Sequence, residues 1–170
     1  DYAAAKGVGL SVKPHGGENS TGAQCRQLIQ RVGHPNFGLW YDPGNIFYYS
    51  EGKLDLVDAA ATVDGLVRGR SVKDFLPPRN VNITPGTGRV NFTTVLAKLR
   101  QGGFVRGPSI VECLAPGLVA AITAEAKQAR SFLVELPDFV PRGSFVRRSQ
   151  PAFRRTEGEP FEDGRRNFHG

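Results

Sequence analysis

The sequence predicts an α/β fold of the (β/α)8 TIM-barrel type, with four βα units in this chain. Segments with strand character alternate with segments of helical periodicity four times, at roughly thirty residues a unit. Short connections between them imply a parallel sheet with helices outside it. Four such units are half of an eight-unit barrel. An open doubly wound sheet is the structural alternative, and its dinucleotide-binding version lacks the expected GxGxxG after the first strand.

The first unit begins with an alternating, β-prone segment at residues 8–13, which Pro14 and the following glycines break. A helix follows, and Asn19 or Ser20 is the predicted N-cap. Gly33 and Pro35 end this helix. Its apolar positions lie at helical spacing: Leu28, Ile29 and Val32.

The second unit has a strand at 37–41, a turn at 42–45 and an Ala-rich helix at 53–63. Asp42 before Pro-Gly has the character of a turn residue, and Trp40 and Phe37 are expected to pack in the barrel wall. Three apolar residues mark one face of the helix: Leu54, Val57 and Ala61.

The third unit has a strand at 69–73, a long loop at 76–88 and a helix that Asn91 caps and that continues to residue 100. Gly102 and Gly103 end this helix. If Lys73 and Asp74 have no functional role, the alternative is a local ion pair that contributes little to stability. Gly86 and Gly88 serve the geometry of the loop, or their N–H groups bind a phosphate.

The fourth unit has a strand at 109–113 and a helix at 118–136, which Pro137 ends. Residues 138–170 carry Pro, Gly, Arg and scattered Phe without periodicity, which predicts a disordered Arg-rich tail. The predicted organisation is therefore a half-barrel at 1–137 and a tail at 138–170.

Composition restricts the partners and the compartment. The net charge of +6 and the pI of about 9.7 invite a nucleic-acid partner, but much of the clustered charge lies in a tail that also carries acidic residues, so nucleic acid is not the expected ligand. No stretch of eighteen apolar residues predicts a membrane span. Two cysteines in unrelated contexts predict free thiols and a cytoplasmic location. The first residue is not Met, and we expect the chain to begin inside a longer protein.

Polar and ionisable residues recur where each predicted strand ends. Because the active site of a parallel barrel gathers at the C-terminal ends of its strands, we expect these residues to share one functional site. In chain order they are Lys13 and His15; Asp42 and Asn45; Ser71, Lys73 and Asp74; and Glu112.

Five strings in this order resemble the second half of the xylose-isomerase-like superfamily of sugar phosphate isomerases and epimerases. The resemblance covers about residues 6–136 and implies a barrel of which this chain supplies the last four βα units. A missing N-terminal half-barrel, or self-association, would then complete the fold. The strings are Val12-Lys-Pro-His-Gly-Gly17, Leu39-Trp-Tyr-Asp-Pro-Gly-Asn45, Ser71-Val-Lys-Asp-Phe75, Pro85-Gly-Thr-Gly-Arg-Val-Asn-Phe92 and Ile110-Val-Glu-Cys113.

The resemblance also implies a metal site. The family typically holds a divalent cation (Mn, Mg, Co or Zn) with a Glu, an Asp, a His and a Glu from its last four strands. Asp42 and Glu112 match two of these positions, whereas Lys13 stands at the first Glu position and Ser71 at the His position. His15, next to the first position, is the remaining candidate ligand, so the predicted metal set is Asp42, Glu112 and His15.

Lys13 leaves three alternatives open. It pairs with Glu112 or Asp42 and replaces the charge of the metal; it acts as an acid or base after burial lowers its pKa; or the site only binds sugar. The predicted catalytic residues are Glu112 and Lys13, and His15, Asn45 and Lys73 are expected to bind the substrate.

The resemblance implies an isomerase or epimerase that transfers a proton next to the carbonyl of a sugar or sugar phosphate. The first alternative is a non-catalytic carbohydrate-binding relative, or a truncated fragment. The second is an endonuclease at abasic sites in DNA, which would need a set of His ligands that His15, His34 and His169 do not form in the sequence.

Overall fold

A computed structural model describes residues 1–137 and 139. Its centre is a four-stranded parallel sheet in the order β1-β2-β3-β4, which confirms the predicted α/β class. The strands are β1 (Leu10–Val12), β2 (Phe37–Tyr41), β3 (Val67–Val72) and β4 (Ser109–Val111). The helices are α1 (Tyr2–Ala5), α2 (Gly22–Val32), α3 (Pro43–Ser50), α4 (Leu56–Ala61), α5 (Phe92–Gln101) and α6 (Val119–Glu135), with a short 3-10 helix at Gly17–Asn19.

The sheet has one face covered by helices and one face that carries polar groups. Successive side chains on a strand point to opposite faces. Leu39 and Tyr41 of β2 lie on the covered face, have no exposed surface and belong to the hydrophobic core. Burying a large apolar side chain in this way contributes about 1.5–3 kcal/mol to stability. Trp40, between them in sequence, points to the opposite face, where it meets Ser71 of β3.

The N-terminus of α2 differs from the prediction. The N-cap is Thr21, whose hydroxyl accepts a hydrogen bond from the Gln24 N–H, while the Gln24 side chain accepts one from the Thr21 N–H. Asn19 and Ser20 were predicted for this position, but their side chains donate to Lys13 O and Gly17 O, which holds them in the preceding turn. The predicted end of the helix at Gly33 is confirmed, with a left-handed backbone.

Helix α3 was not predicted. The Asp-Pro-Gly-Asn sequence has the composition of a turn, yet proline suits the first position of a helix because its missing N–H would have no partner there. Asp42 is the N-cap, and its Oδ1 accepts a hydrogen bond from Asn45 N at 2.9 Å. Residues 43–47 of this helix are buried, so tertiary packing stabilises a segment whose local sequence favours a turn.

The remaining boundaries follow the prediction within a few residues. Asn91 caps α5 by accepting from Thr94 N, and Gly102 ends this helix, as expected. Helix α4 is shorter than predicted because Asp55 caps it. Among residues 1–137 and 139, no helix has both the length and the apolar character that crossing a membrane requires. The predicted tail at 138–170 lies outside the described residues except for Phe139, which packs against the core.

Candidate functional site

Each of the four strands is followed directly by one ionisable side chain. Lys13 follows β1, Asp42 follows β2, Lys73 follows β3 and Glu112 follows β4. Parallel strands end at the same edge of a sheet, so the four side chains meet there. We call these four residues the charge cluster.

Ion pairs connect the charge cluster across the whole sheet. Lys13 Nζ lies 3.0 Å from Asp42 Oδ2 and contacts Glu112 Oε2. Lys73 Nζ lies 2.6 Å from Glu112 Oε1 and 3.7 Å from Asp42 Oδ2. Each ammonium thus faces both carboxylates, and the formal charge of the cluster sums to zero.

Asp42 uses its two carboxylate oxygens differently. Oδ1 caps α3, as described above. Oδ2 has no hydrogen-bond partner among the described residues, although the Lys13 ammonium lies 3.0 Å away in an ion-pair contact. The side chain is fully buried, and this oxygen depends on the two lysines for its electrostatic stabilisation. Asp42 is therefore both the N-cap of α3 and one of the two negative charges of the cluster.

Lys73 is the buried cation of the cluster. Its ammonium also donates a hydrogen bond to Asn45 Oδ1 at 3.0 Å, and Asn45 Nδ2 in turn donates to Pro14 O at 2.7 Å. Burial acts to lower the pKa of Lys73, but the carboxylates of Asp42 and Glu112 outweigh it and raise the pKa above its ordinary value. Lys73 is therefore a fixed positive charge, and Asn45 is a buried residue that orients it.

Glu112 is held by three donors. Besides the two lysines, Ser71 Oγ donates to Glu112 Oε2 at 2.7 Å, and Trp40 Nε1 donates to Ser71 Oγ at 3.0 Å. Burial acts to raise the pKa of Glu112, but the hydrogen bonds from Lys13, Lys73 and Ser71 outweigh it and lower the pKa to about 2. Sequence reasoning assigned Trp40 to the barrel wall; its position two residues before Asp42 on one strand was the signal that it faces the site.

His15 lies apart from the ion pairs. It is exposed, and its Nδ1 is 3.4 Å from the hydroxyl of Tyr49. Among residues 1–137 and 139, no group of three or more His, Cys, Asp or Glu side chains is placed to hold a metal ion. The predicted ligand set of Asp42, Glu112 and His15 is therefore not assembled here.

The charge cluster does not fit a divalent metal. The two carboxylates already face ammonium groups, and a third positive centre between them would be repelled by both lysines. The remaining positions of the implied set hold an ammonium at Lys13 and a hydroxyl at Ser71, neither of which supplies a carboxylate or imidazole ligand.

Asp74 holds the loop after β3 in place. Its buried carboxylate accepts hydrogen bonds from the backbone N–H groups of Phe75, Gly86, Gly88 and Val90, at 2.8–3.0 Å, rather than serving the alternative of a local ion pair with Lys73. These bonds agree with the expected role of Gly86 and Gly88 in the geometry of the loop. The N–H groups of Gly86 and Gly88 therefore have a partner and are not free to bind a phosphate. A carboxylate at the end of a strand, followed by a Gly-rich loop, was the signal for this arrangement.

The low pKa of Glu112 predicts a loss of stability in acid. A carboxyl whose pKa is lower in the folded protein than its ordinary value of 4.5 stabilises the fold above pH 4.5, and this contribution disappears as the pH falls toward about 2. Chemical denaturation at several pH values should therefore show a decrease in the free energy of unfolding across this window. The decrease should be smaller in Glu112→Gln, and equal decreases in both proteins would contradict the assignment.

A family model described as "Xylose isomerase-like TIM barrel" matches residues 1–136. No curated protein matches the chain.

Solved structures share the fold. A xylose isomerase domain protein from Planctomyces limnophilus is 25% identical, with a TM-score of 0.62 over 79% of this chain and 47% of that one. A D-psicose 3-epimerase solved in the presence of D-fructose is 17% identical, with a TM-score of 0.65 over 80% and 52%. A D-allulose 3-epimerase from Methylomonas sp., in complex with D-allulose, is 19% identical, with a TM-score of 0.63 over 80% and 51%. This chain thus spans about half the length of these structures, as predicted for a half-barrel.

Proposed function

Because this chain belongs to the xylose isomerase-like TIM barrel family, we propose that its charge cluster is the C-terminal half of a sugar isomerase or epimerase site. The reaction is a proton transfer at the carbon next to the carbonyl of a sugar or sugar phosphate. One observation carries this proposal: four consecutive strands each deliver one charged side chain to a single cluster at the edge where barrel active sites lie.

The two ammonium groups suit the electronic demand of the reaction. Removal of the proton next to a carbonyl places negative charge on the carbonyl oxygen, and preorganised positive groups lower the barrier by stabilising that charge. Lys13, which is partly exposed, donates to this oxygen. Lys73 is more deeply buried and keeps Glu112 and Asp42 in place.

Glu112 is the proton acceptor and donor in this proposal. Its pKa of about 2 makes it a weak base while both lysines hydrogen-bond to it. A sugar oxygen that accepts an N–H from Lys13 weakens the contact between Lys13 and Glu112, which raises the pKa of the carboxyl toward the range that proton transfer needs. His15 and Tyr49, whose polar groups lie side by side, bind the far end of the sugar.

The test is hydrogen exchange with solvent. The purified protein is incubated with D-fructose in D2O, and NMR follows deuterium entering the carbon next to the carbonyl. We expect exchange in the wild type and a loss of roughly 100-fold or more in Glu112→Gln, as is typical when a general base is removed. Glu135→Gln, at an exposed position of α6, is the matched control. Exchange at the same rate in both variants would contradict the proposal.

The second candidate is a non-catalytic sugar-binding site. The observation that favours it is the same low pKa of Glu112, because a carboxylate saturated by donors has little tendency to take a proton. It predicts saturable sugar binding without deuterium exchange, so the same samples distinguish the two functions. An endonuclease of the kind considered above needs a cluster of metal ligands, and none lies within the described part of the chain.

A further inference from the structure

We infer that the Lys13 ammonium takes the place of the divalent cation, so that this site works without a metal. A single substitution at position 13 would then create a metal-binding site. The inference deepens the proposed function and rests on it for the identity of the site. The experiment that tests it uses no sugar, so that a failure of this inference can be distinguished from a failure of the proposed function.

The carboxylate oxygens of Asp42 and Glu112 are already occupied. A cation held between Asp42 and Glu112 would need oxygens that face a common point. Asp42 Oδ2 and Glu112 Oε2 do face one point, and the Lys13 ammonium stands there, in contact with both. The second oxygen of Asp42 caps α3, and that of Glu112 lies 2.6 Å from Lys73. The carboxylate atoms suited to a metal are thus already engaged by positive groups or by the backbone.

The Lys13 side chain reaches across the sheet. Lys13 follows β1 and Glu112 follows β4, the two outer strands of the described sheet, and the residues are 99 positions apart in sequence. Asp42, from β2, lies between them. A lysine side chain is long enough to bridge these strand ends, whereas a carboxylate at position 13 would need a cation to connect it to the others. The backbone at position 13 is fixed by Asn19, whose amide donates to the Lys13 carbonyl.

Ser71 stands at the remaining position of the implied ligand set. Ser71 does not offer a lone pair to the centre of the cluster: its hydroxyl donates to Glu112 and receives a hydrogen bond from Trp40. The serine therefore stabilises the ionised carboxylate as an uncharged hydrogen-bond donor. Together with Lys13 it satisfies Glu112 in a way that needs no additional positive charge.

An ammonium can also perform the electrostatic task of a cation. It has three N–H donors, of which one hydrogen-bonds to Glu112 Oε2, while Asp42 Oδ2 is in ion-pair contact without a hydrogen bond. A remaining N–H is available to a carbonyl or hydroxyl oxygen of a bound sugar. Unlike a metal, this positive charge is tethered to the chain, so that it is present at any metal concentration.

The experiment measures Mn²⁺ binding by titration calorimetry, after dialysis against EDTA and back into buffer. The proteins are the wild type, Lys13→Glu, and Lys13→Glu with Ser71→His. We expect Mn²⁺ binding to the wild type to be too weak to saturate, and Lys13→Glu to bind roughly 100-fold or more tighter than that limit, because a repelling charge is exchanged for a ligand. The added histidine should tighten it further. Lys127→Glu makes the same charge change at an exposed position of α6 and should leave Mn²⁺ binding at the wild-type level.

Two further variants show where the ion binds and whether removing the ammonium alone is enough. Adding Asp42→Asn to Lys13→Glu should abolish the new binding, which places the ion at the cluster. If Lys13→Glu unfolds without metal, Lys13→Gln removes the ammonium without adding a third carboxylate to the cluster. Lys13→Gln should bind Mn²⁺ more tightly than the wild type, but more weakly than the affinity expected for Lys13→Glu. Saturable binding to the wild type that Asp42→Asn removes would overturn the inference, as would folded Lys13→Glu or Lys13→Gln protein that binds no better than the wild type.

Discussion

Asp74→Ala is expected to lower the free energy of unfolding by about 2–6 kcal/mol, since the buried N–H groups of Phe75 and Val90 would lose their partner at about 1–3 kcal/mol each. The wild-type carboxylate is fully buried and accepts hydrogen bonds from four backbone N–H groups: those of Phe75, Gly86, Gly88 and Val90. Phe75 lies only two residues after Lys73, so the substitution should also distort the charge cluster.

Urea denaturation measures this effect. Asp58→Ala, at an exposed position in the first turn of α4, is the control for loss of one negative charge, and it should change stability by less than about 0.5 kcal/mol. Asp74→Asn keeps the size of the side chain but turns an N–H₂ group toward backbone donors, and we expect a loss close to that of alanine. A loss for Asp74→Ala no larger than that for Asp58→Ala would contradict the role assigned to this carboxylate.

Lys73→Met is expected to cost about 3 kcal/mol, at the lower end of what breaking a buried ion pair costs. The methionine keeps the packing of the aliphatic stem, so the loss reports the ammonium. Asp42 is fully buried and would then rely on Lys13 alone, while Asn45 would lose the partner of its Oδ1. The value stays at the lower end because Glu112 retains contact with solvent.

A second substitution separates charge from packing. If the cost of Lys73→Met comes from uncompensated negative charge, adding Glu112→Gln should recover part of it, and the two changes should be non-additive. Lys53→Met removes an exposed lysine paired with Glu51 and should cost less than about 1 kcal/mol. Strictly additive effects of Lys73→Met and Glu112→Gln would show that the pair is not coupled.

The strands and their ends could be predicted from the sequence because their causes are local. Alternation marks β1, and Phe37–Tyr41 coincides with β2. Since parallel strands end at one edge, Lys13, Asp42, Lys73 and Glu112 could be assigned to one site before any distance was known. The ion pair between Lys13 and Glu112, one of the alternatives left open, is formed in the structure.

What could not be predicted depends on contacts between distant residues. Helix α3 contradicts the turn character of its first residues because tertiary packing buries it. An ion pair with its neighbour Lys73 was the only partner that the sequence suggested for Asp74, but its carboxylate accepts hydrogen bonds from a loop twelve to sixteen residues away. Trp40 and Ser71 are 31 residues apart, and sequence alone gives no reason to join their side chains. In each case the contact depends on how the folded sheet brings distant residues together, and not on neighbours in sequence.

The most direct test of a metal-independent sugar site is a calorimetric titration with D-fructose in the presence of EDTA, repeated with Mn²⁺. We expect saturable binding of D-fructose in EDTA. Mn²⁺ should not strengthen this binding, and Lys13→Met should weaken it. Binding that requires Mn²⁺ would contradict this expectation, because the Lys13 ammonium would then not supply the positive charge that the sugar oxygens need.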